Sequence, residues 1–201
     1  MKTLIAWFSW SGNTRDIAER IARKTRGELF RIEREVPYSM DYSTCAYTEA
    51  KEEADKQLRP AIKWPLPEIV EDDAVIIAFP IWWYTMPAPV KTFLESWPDW
   101  QGKRLYVFAN SYTDDRRQFV NALVAAVECA KNADVKPGLY NKEIDRLCGW
   151  VRENGFTRRQ KYEEADINDL GGAGADDRSA CGRHSADGHD EACAHGLYSA
   201  V

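Results

Sequence analysis

Histidine is scarce in this 201-residue chain: there are three, His184, His189 and His195, all near its C-terminal end. None lies where the sequence shows a core-forming pattern, so a hydrolase triad built on Ser9 or Ser11 lacks its base. Long apolar runs are also missing. A single lysine precedes a short apolar segment that serines soon interrupt, so neither a signal peptide nor a membrane span is expected, and a cytoplasmic location follows. Excess positive charge is absent, the formal balance being -5, and no basic patch interleaves with aromatics; a nucleic-acid partner is not expected. The five cysteines are odd in number and scattered, which excludes a disulfide framework. Cys45, Cys129 and Cys148 fall in helical patterns and are expected as small buried apolar groups. Neither G-x-G-x-x-G after the first strand nor the Gly-Lys-Ser/Thr of a nucleotide triphosphate loop occurs.

What is present is a chain with 44% hydrophobic residues and eight tryptophans, long enough to bury one core. Thr3–Phe8 reads as a buried strand, and Ile17, Ala18, Ile21 and Ala22 mark the inner face of a helix from Asn13 to about Thr25. Glu28–Ile32 alternates as an edge strand would. Asp41 is placed to cap a long polar helix from Tyr42 to Leu58, which ends before Pro60. Ala74–Phe79 is the most hydrophobic run and the candidate central strand. Pro87 and Pro89 suit the start of a helix whose face is Val90, Phe93, Leu94 and Trp97. Leu105–Ala109 is a fourth strand, and Phe119, Val120, Leu123, Val124 and Val127 carry the helix after it. Ala133–Lys136 and Leu139 offer a ragged fifth strand before a helix on Ile144, Leu147, Cys148 and Val151. Strands alternating with helices predict a parallel sheet covered on both faces, a doubly wound α/β fold.

The predicted domain spans residues 1–160, and residues 161–201, rich in Gly, Ala and Asp, are expected to form a flexible tail. Cys181, His184, His189, Cys193 and His195 cluster there, but their spacing matches no structural zinc pattern. No metal site is expected.

The first strand leads into Ser9-Trp10-Ser11-Gly12-Asn13-Thr14, a turn of hydroxyls and one glycine before a helix start. The first N–H groups of a helix lack intrahelical partners and converge with the positive end of its dipole, an arrangement that suits phosphate. Ser9, Ser11 and Thr14 add hydroxyl donors, Gly12 permits backbone geometry closed to other residues, and Asn13 or Thr14 can cap. A capped turn without a ligand is the other reading. Two further strand ends are unusual: Pro80-Ile81-Trp82-Trp83-Tyr84 and Asn110-Ser111-Tyr112-Thr113-Asp114-Asp115. Doubly wound sheets bind ligands at the carboxyl ends of their strands. Trp82, Trp83 and Tyr112 could stack on a flat ring there, or Trp82 and Trp83 could be core aromatics. Asp114 and Asp115 are read as helix-capping and solvated carboxylates.

In these motifs and in element order over most of residues 1–155, the sequence resembles the flavodoxin family. The resemblance implies a five-stranded parallel sheet in the order 2-1-3-4-5 and FMN as cofactor. It places the FMN phosphate on Ser9, Trp10 (through its backbone), Ser11, Gly12, Asn13 and Thr14. Pro80, Ile81, Trp82, Trp83 and Tyr84 would form the second flavin segment, and Asn110, Ser111, Tyr112 and Asp115 the third. The third segment has no glycine where the family commonly has some, which leaves Tyr112 to cover the ring or the pocket partly filled. The implied function is FMN-dependent oxidoreduction between a nicotinamide or protein donor and a small acceptor such as a quinone. Electron transfer to a redox protein partner, and a non-catalytic interaction domain with weak or no FMN binding, are the alternatives. No side chain is required as nucleophile or base, because the ring carries the chemistry.

Overall fold

In the computed structural model, which describes residues 2–70 and 72–156, the strands form one five-stranded sheet. They are β1 (Thr3–Trp7), β2 (Glu28–Arg31), β3 (Ala74–Pro80), β4 (Arg104–Asn110) and β5 (Asp134–Tyr140). All pairings are parallel, in the order β2-β1-β3-β4-β5. The helices are α1 (Asn13–Thr25), α2 (Lys51–Asp55), α3 (Ala88–Glu95), α4 (Arg116–Cys129) and α5 (Leu147–Glu153). The tail from residue 161, with its cysteines and histidines, lies outside the described residues. Among the described residues no group of His, Cys, Asp or Glu is arranged to hold a metal ion, and no helix is long and apolar enough to cross a membrane.

Alternating side chains of the central strands feed two cores, as the two-residue period of a strand requires. Leu4, Ala6, Val75, Ile77, Leu105 and Val107 join Val90, Phe93, Phe119 and Ala126 of α3 and α4. Ile5, Trp7, Ile76, Ala78 and Phe108 join Ala18 and Ile21 of α1 and Leu147 and Trp150 of α5. Continuous burial along β3 is why its sequence is apolar on both faces.

Four local expectations change. The polar helix predicted from Tyr42 to Leu58 is a π-helix over Thr44–Ala50 that runs into α2 and stops at Asp55. Its wider turn brings Cys45, Ala46 and Ala50 to the buried side. Asp41 does accept from Thr44 N, at 2.7 Å. The fifth strand is longer than its ragged sequence suggests and takes Pro137 and Gly138 into an edge with a register shift beside Val107 and Ala109. A Cβ on Gly138 would lie 2.4 Å from the Phe108 ring, so only glycine lets β5 approach β4 there. Cys45 and Cys129 are buried, with thiols pushed up to about 12 by desolvation, but Cys148 is only half-buried. Finally, α4 turns Phe119, Ala122, Ala125, Ala126 and Cys129 inward and leaves Val120, Val124 and Val127 exposed. Small alanines fit the close approach of α4 to the sheet better than β-branched valines.

The long connection between β2 and β3 is held by buried charge. Tyr38 Oη donates to Glu53, the Arg34 guanidinium lies 4.3 Å from the Tyr38 ring centroid, and Arg34 reaches Glu53 and Glu49 at 3.5 and 3.6 Å. Burial, opposed by the Tyr38 hydrogen bond and by Arg34, raises the Glu53 carboxyl above its usual 4.5. A raised carboxyl favours folding fully at pH below the unfolded value and loses that contribution as pH climbs through the folded value. Glu53→Gln, which can still accept from Tyr38, is therefore expected to gain stability relative to the parent as pH rises above about 4.5. Urea unfolding of both proteins across pH checks this, and a difference constant with pH would contradict it.

Candidate functional site

The loops after β1, β3 and β4 meet at the carboxyl edge of the sheet because those strands are neighbours in it. Loop one begins with Phe8 N donating to Ala78 O at 2.9 Å. Ser9 is buried, and its Oγ accepts from Gly12 N at 2.9 Å, which leaves the hydroxyl its own hydrogen to donate. Gly12 has φ 105° and ψ -22°, in the left-handed region, and α1 begins directly after it without a side-chain cap. The predicted caps, Asn13 and Thr14, do not cap. Ser11 and Asn13 are exposed at the helix start, whereas Thr14 is buried and its Oγ1 donates to Asn110 Oδ1 at 2.8 Å. That bond ties the first loop to the end of β4.

Loop two is anchored by Ile81 N donating to Asn110 O at 2.8 Å, next to the half-buried Pro80 that ends β3. Trp82 and Thr85 exchange two backbone hydrogen bonds, at 3.0 and 3.1 Å, and enclose Trp83 and Tyr84 with φ of 47° and 65°. Two positive values at the centre of a two-residue hairpin are the signature of a type I′ turn, normally filled by Asn and Gly. Here two aromatics occupy it. The neighbouring tryptophans separate: Trp82 is 4% exposed, with its ring 5.2 Å from both Phe8 and Tyr38. Trp83 is half-buried and donates from Nε1 to Ala46 O at 3.1 Å. Tyr84 is 43% exposed and accepts at its carbonyl from Asn121 Nδ2, at 3.2 Å.

Loop three follows Asn110. Ser111 N donates to Asn141 Oδ1 at 2.6 Å and Ser111 Oγ to Gln118 Oε1 at 3.0 Å, while Tyr112 projects with 61% exposure. Asp115 caps α4, accepting from Arg117 N at 3.0 Å, and the Arg117 side chain holds its carboxyl below the usual range. A groove of about 460 Å³ opens beside this loop, lined by Ile17 and Arg20 of α1 and by Asn110, Ser111, Tyr112 and Asn141. Its size is within the range of small-molecule sites.

Three residues at this edge escaped the sequence reading. Tyr42 and Tyr47, from the long connection, continue an edge-to-face chain Trp10–Tyr42–Tyr47–Trp83 with centroid spacings of 6.1, 6.2 and 6.1 Å. The first and second loops are thus joined by rings from a segment that reads as a surface helix. Trp10 is also held by Nε1 donating to Ser39 O at 3.2 Å. Asn141, with φ 48°, braces loop three by accepting from Ser111 N and donating to Thr113 O at 2.9 Å. An asparagine after a strand is a known turn former, but nothing local shows which loop it supports.

The architecture can be compared with known proteins. A candidate flavoprotein from Bacteroides eggerthii superposes with a TM-score of 0.65 at 27% identity, covering 76% of this chain and 96% of its own. Another from Bacteroides uniformis gives 0.62 at 29%, covering 75% and 97%. A flavoprotein from Lactobacillus acidophilus, solved in complex with FMN, gives 0.62 at 22%, covering 75% and 98%, a likeness of fold. No curated protein matches the chain significantly. The flavodoxin family model matches residues 2–154, from just before β1 to just after α5. With that span and with the loops after β1, β3 and β4 assembled at one edge, the chain belongs to the flavodoxin family.

Proposed function

We propose that this chain is an FMN-dependent oxidoreductase, moving electrons or hydride between a nicotinamide or protein donor and a small acceptor such as a quinone. The doubly wound scaffold would act in the cytoplasm. The observation that carries the reading is the joining of the hydroxyl loop to the third loop through Thr14 and Asn110, beside an open groove. The donors present suit a phosphomonoester: an uncapped helix start, the buried Ser9 hydroxyl and the exposed Ser11 hydroxyl.

When bound, FMN supplies the redox chemistry of its ring system. Ser9, Ser11, Gly12, Asn13 and Thr14, with the Trp10 backbone, hold the phosphate. Thr14 acts there through its N–H, because its hydroxyl is engaged by Asn110. Pro80, Ile81, Trp82, Trp83 and Tyr84 form one wall and Asn110, Ser111, Tyr112 and Asp115 the other. Trp82 contributes main chain, its ring being in the core, whereas Trp83, Tyr84 and Tyr112 retain exposed ring surface. Asp115 shapes its wall by starting α4. A main-chain carbonyl of the Pro80–Tyr84 segment would accept a hydrogen bond from the ring, and the tyrosines would limit water there.

The visible spectrum of the full chain with added FMN, followed by fluorescence titration, tests the reading. Perturbed flavin bands and stoichiometric quenching are expected, with anaerobic bleaching by a reduced nicotinamide. An unperturbed spectrum without quenching would sink the cofactor assignment; binding without bleaching by a nicotinamide would leave a protein as donor.

A further inference from the structure

Arg15 lies in the first turn of α1, where the bonds from Cα to Cβ tilt toward the helix N-terminus. Its side chain runs back over the turn that starts the helix: Nη2 is 3.8 Å from the point where a Cβ on Gly12 would stand. That is the wrong end for a cation. The N-terminal end of the helix dipole is positive, and first-turn positions favour Asp and Glu. The partners that hold Arg15 there are weak. Asp16 Oδ1 accepts from Nε and Nη2 at 3.2 Å each, and Glu19 Oε1 is 3.9 Å from Nε, but the three side chains are 55%, 67% and 45% exposed. Exposed pairs of this kind contribute little. Glu19 is also shared, its other oxygen lying 3.9 Å from Arg23 Nη1.

A second donor serves the same place. Ser9 is 8% exposed and its Oγ accepts from Gly12 N at 2.9 Å, yet among the described residues none accepts the hydrogen that this hydroxyl carries. A buried donor with an unused hydrogen, the uncapped amides of the first turn and a guanidinium therefore surround one spot. Only an anion satisfies all three.

We propose that Arg15 is a further phosphate-binding residue, its guanidinium exchanging Asp16 and Glu19 for the terminal phosphate of the flavin nucleotide. This role rests on the FMN reading and adds a full positive charge to a phosphate loop, Ser9 to Thr14, that has none. A phosphomonoester carries a charge of about -1.5 to -2 at neutral pH, so it outbids two exposed carboxylates that water already screens. The consequence is selectivity: the site prefers the phosphorylated flavin, and salt weakens that preference.

Fluorescence titration of the full chain with FMN and with riboflavin, which lacks the phosphate, tests this. Arg15→Gln should weaken FMN binding about tenfold and change riboflavin binding less than about twofold. Arg15→Lys keeps the charge and should recover most of the loss. Lys24→Gln, in the last turn of α1, changes the net charge equally and should leave FMN affinity as it is, because it lies about 13 Å farther along the helix, beyond a Debye length. Raising KCl from about 0.02 to 0.5 M should weaken FMN binding by the parent more than by Arg15→Gln, a comparison that needs no riboflavin. Without FMN, the urea midpoint of Arg15→Gln should equal or exceed that of the parent, since a cation leaves the positive end of the helix. A parent that binds FMN beside an Arg15→Gln variant that matches it at every salt concentration overturns the role of Arg15 and leaves the cofactor standing. Equal losses for FMN and riboflavin with a lowered urea midpoint would make Arg15 a structural residue and overturn it too. A parent that binds no FMN overturns both.

Discussion

Gly12→Val is expected to weaken FMN binding by about 30-fold or more, the largest loss from a single change at the loop. Gly12 holds φ 105°, and a Cβ there would meet only Arg15 Nη2, at 3.8 Å. Space is available, so the obstacle is backbone conformation. A side chain in the left-handed region costs roughly 1–2 kcal/mol, and β-branching restricts the backbone further. To relax, the chain must turn the peptides around Gly12. That breaks the bond from Gly12 N to Ser9 Oγ and tilts the first donors of α1 away from a common point. A charged group facing those donors then loses hydrogen bonds of about 1.5–3 kcal/mol each. Fluorescence titration reads the affinity, and urea unfolding without FMN should show a loss of about 1–2 kcal/mol from strain alone. Lost stability with unchanged affinity would place the phosphate elsewhere.

Trp82→Ala is expected to cost about 3–5 kcal/mol of folding stability, more than the loss of any other ring at this edge of the sheet. The ring is 4% exposed and meets Phe8 and Tyr38 edge to face, each at 5.2 Å. Its removal leaves a cavity between the first loop, the second loop and the long connection, and aromatic pairs add to the area term. The backbone bonds between Trp82 and Thr85 do not involve the ring and should persist. Urea unfolding followed by far-UV circular dichroism measures the shift. Trp83→Ala provides the contrast, because that ring is half-buried and its hydrogen bond to Ala46 is partly open to solvent; a smaller loss, of about 1–2 kcal/mol, is expected. Equal losses would mean that both rings serve the core alike.

The strand-helix alternation was legible because hydrophobic patterning is local: Ala74–Phe79, short, wholly apolar and the most hydrophobic run, was the candidate central strand, and Ile17, Ala18 and Ile21 marked the inner side of α1. The hydroxyl loop was legible for the same reason, since a strand end, a glycine and a helix start are adjacent in the chain. Periodicity also misled in one place. The stripe Val120, Val124 and Val127 has the period of a buried face and is exposed, because period shows that a face is apolar without showing what covers it.

Sequence by itself determined the alternation of strands and helices around the sheet, their order along the chain and the three segments that meet at one edge of it. Tertiary structure alone decided which aromatic goes inward, Trp82 rather than its neighbour, and that Thr14 reaches across 96 residues to Asn110. It also decided that Tyr42 and Tyr47 join two loops and that Asn141 braces a third. A side chain's local preference is set within a few residues, but its partner is set by whichever distant segment the packed sheet brings alongside, and that choice is made only when the whole core closes.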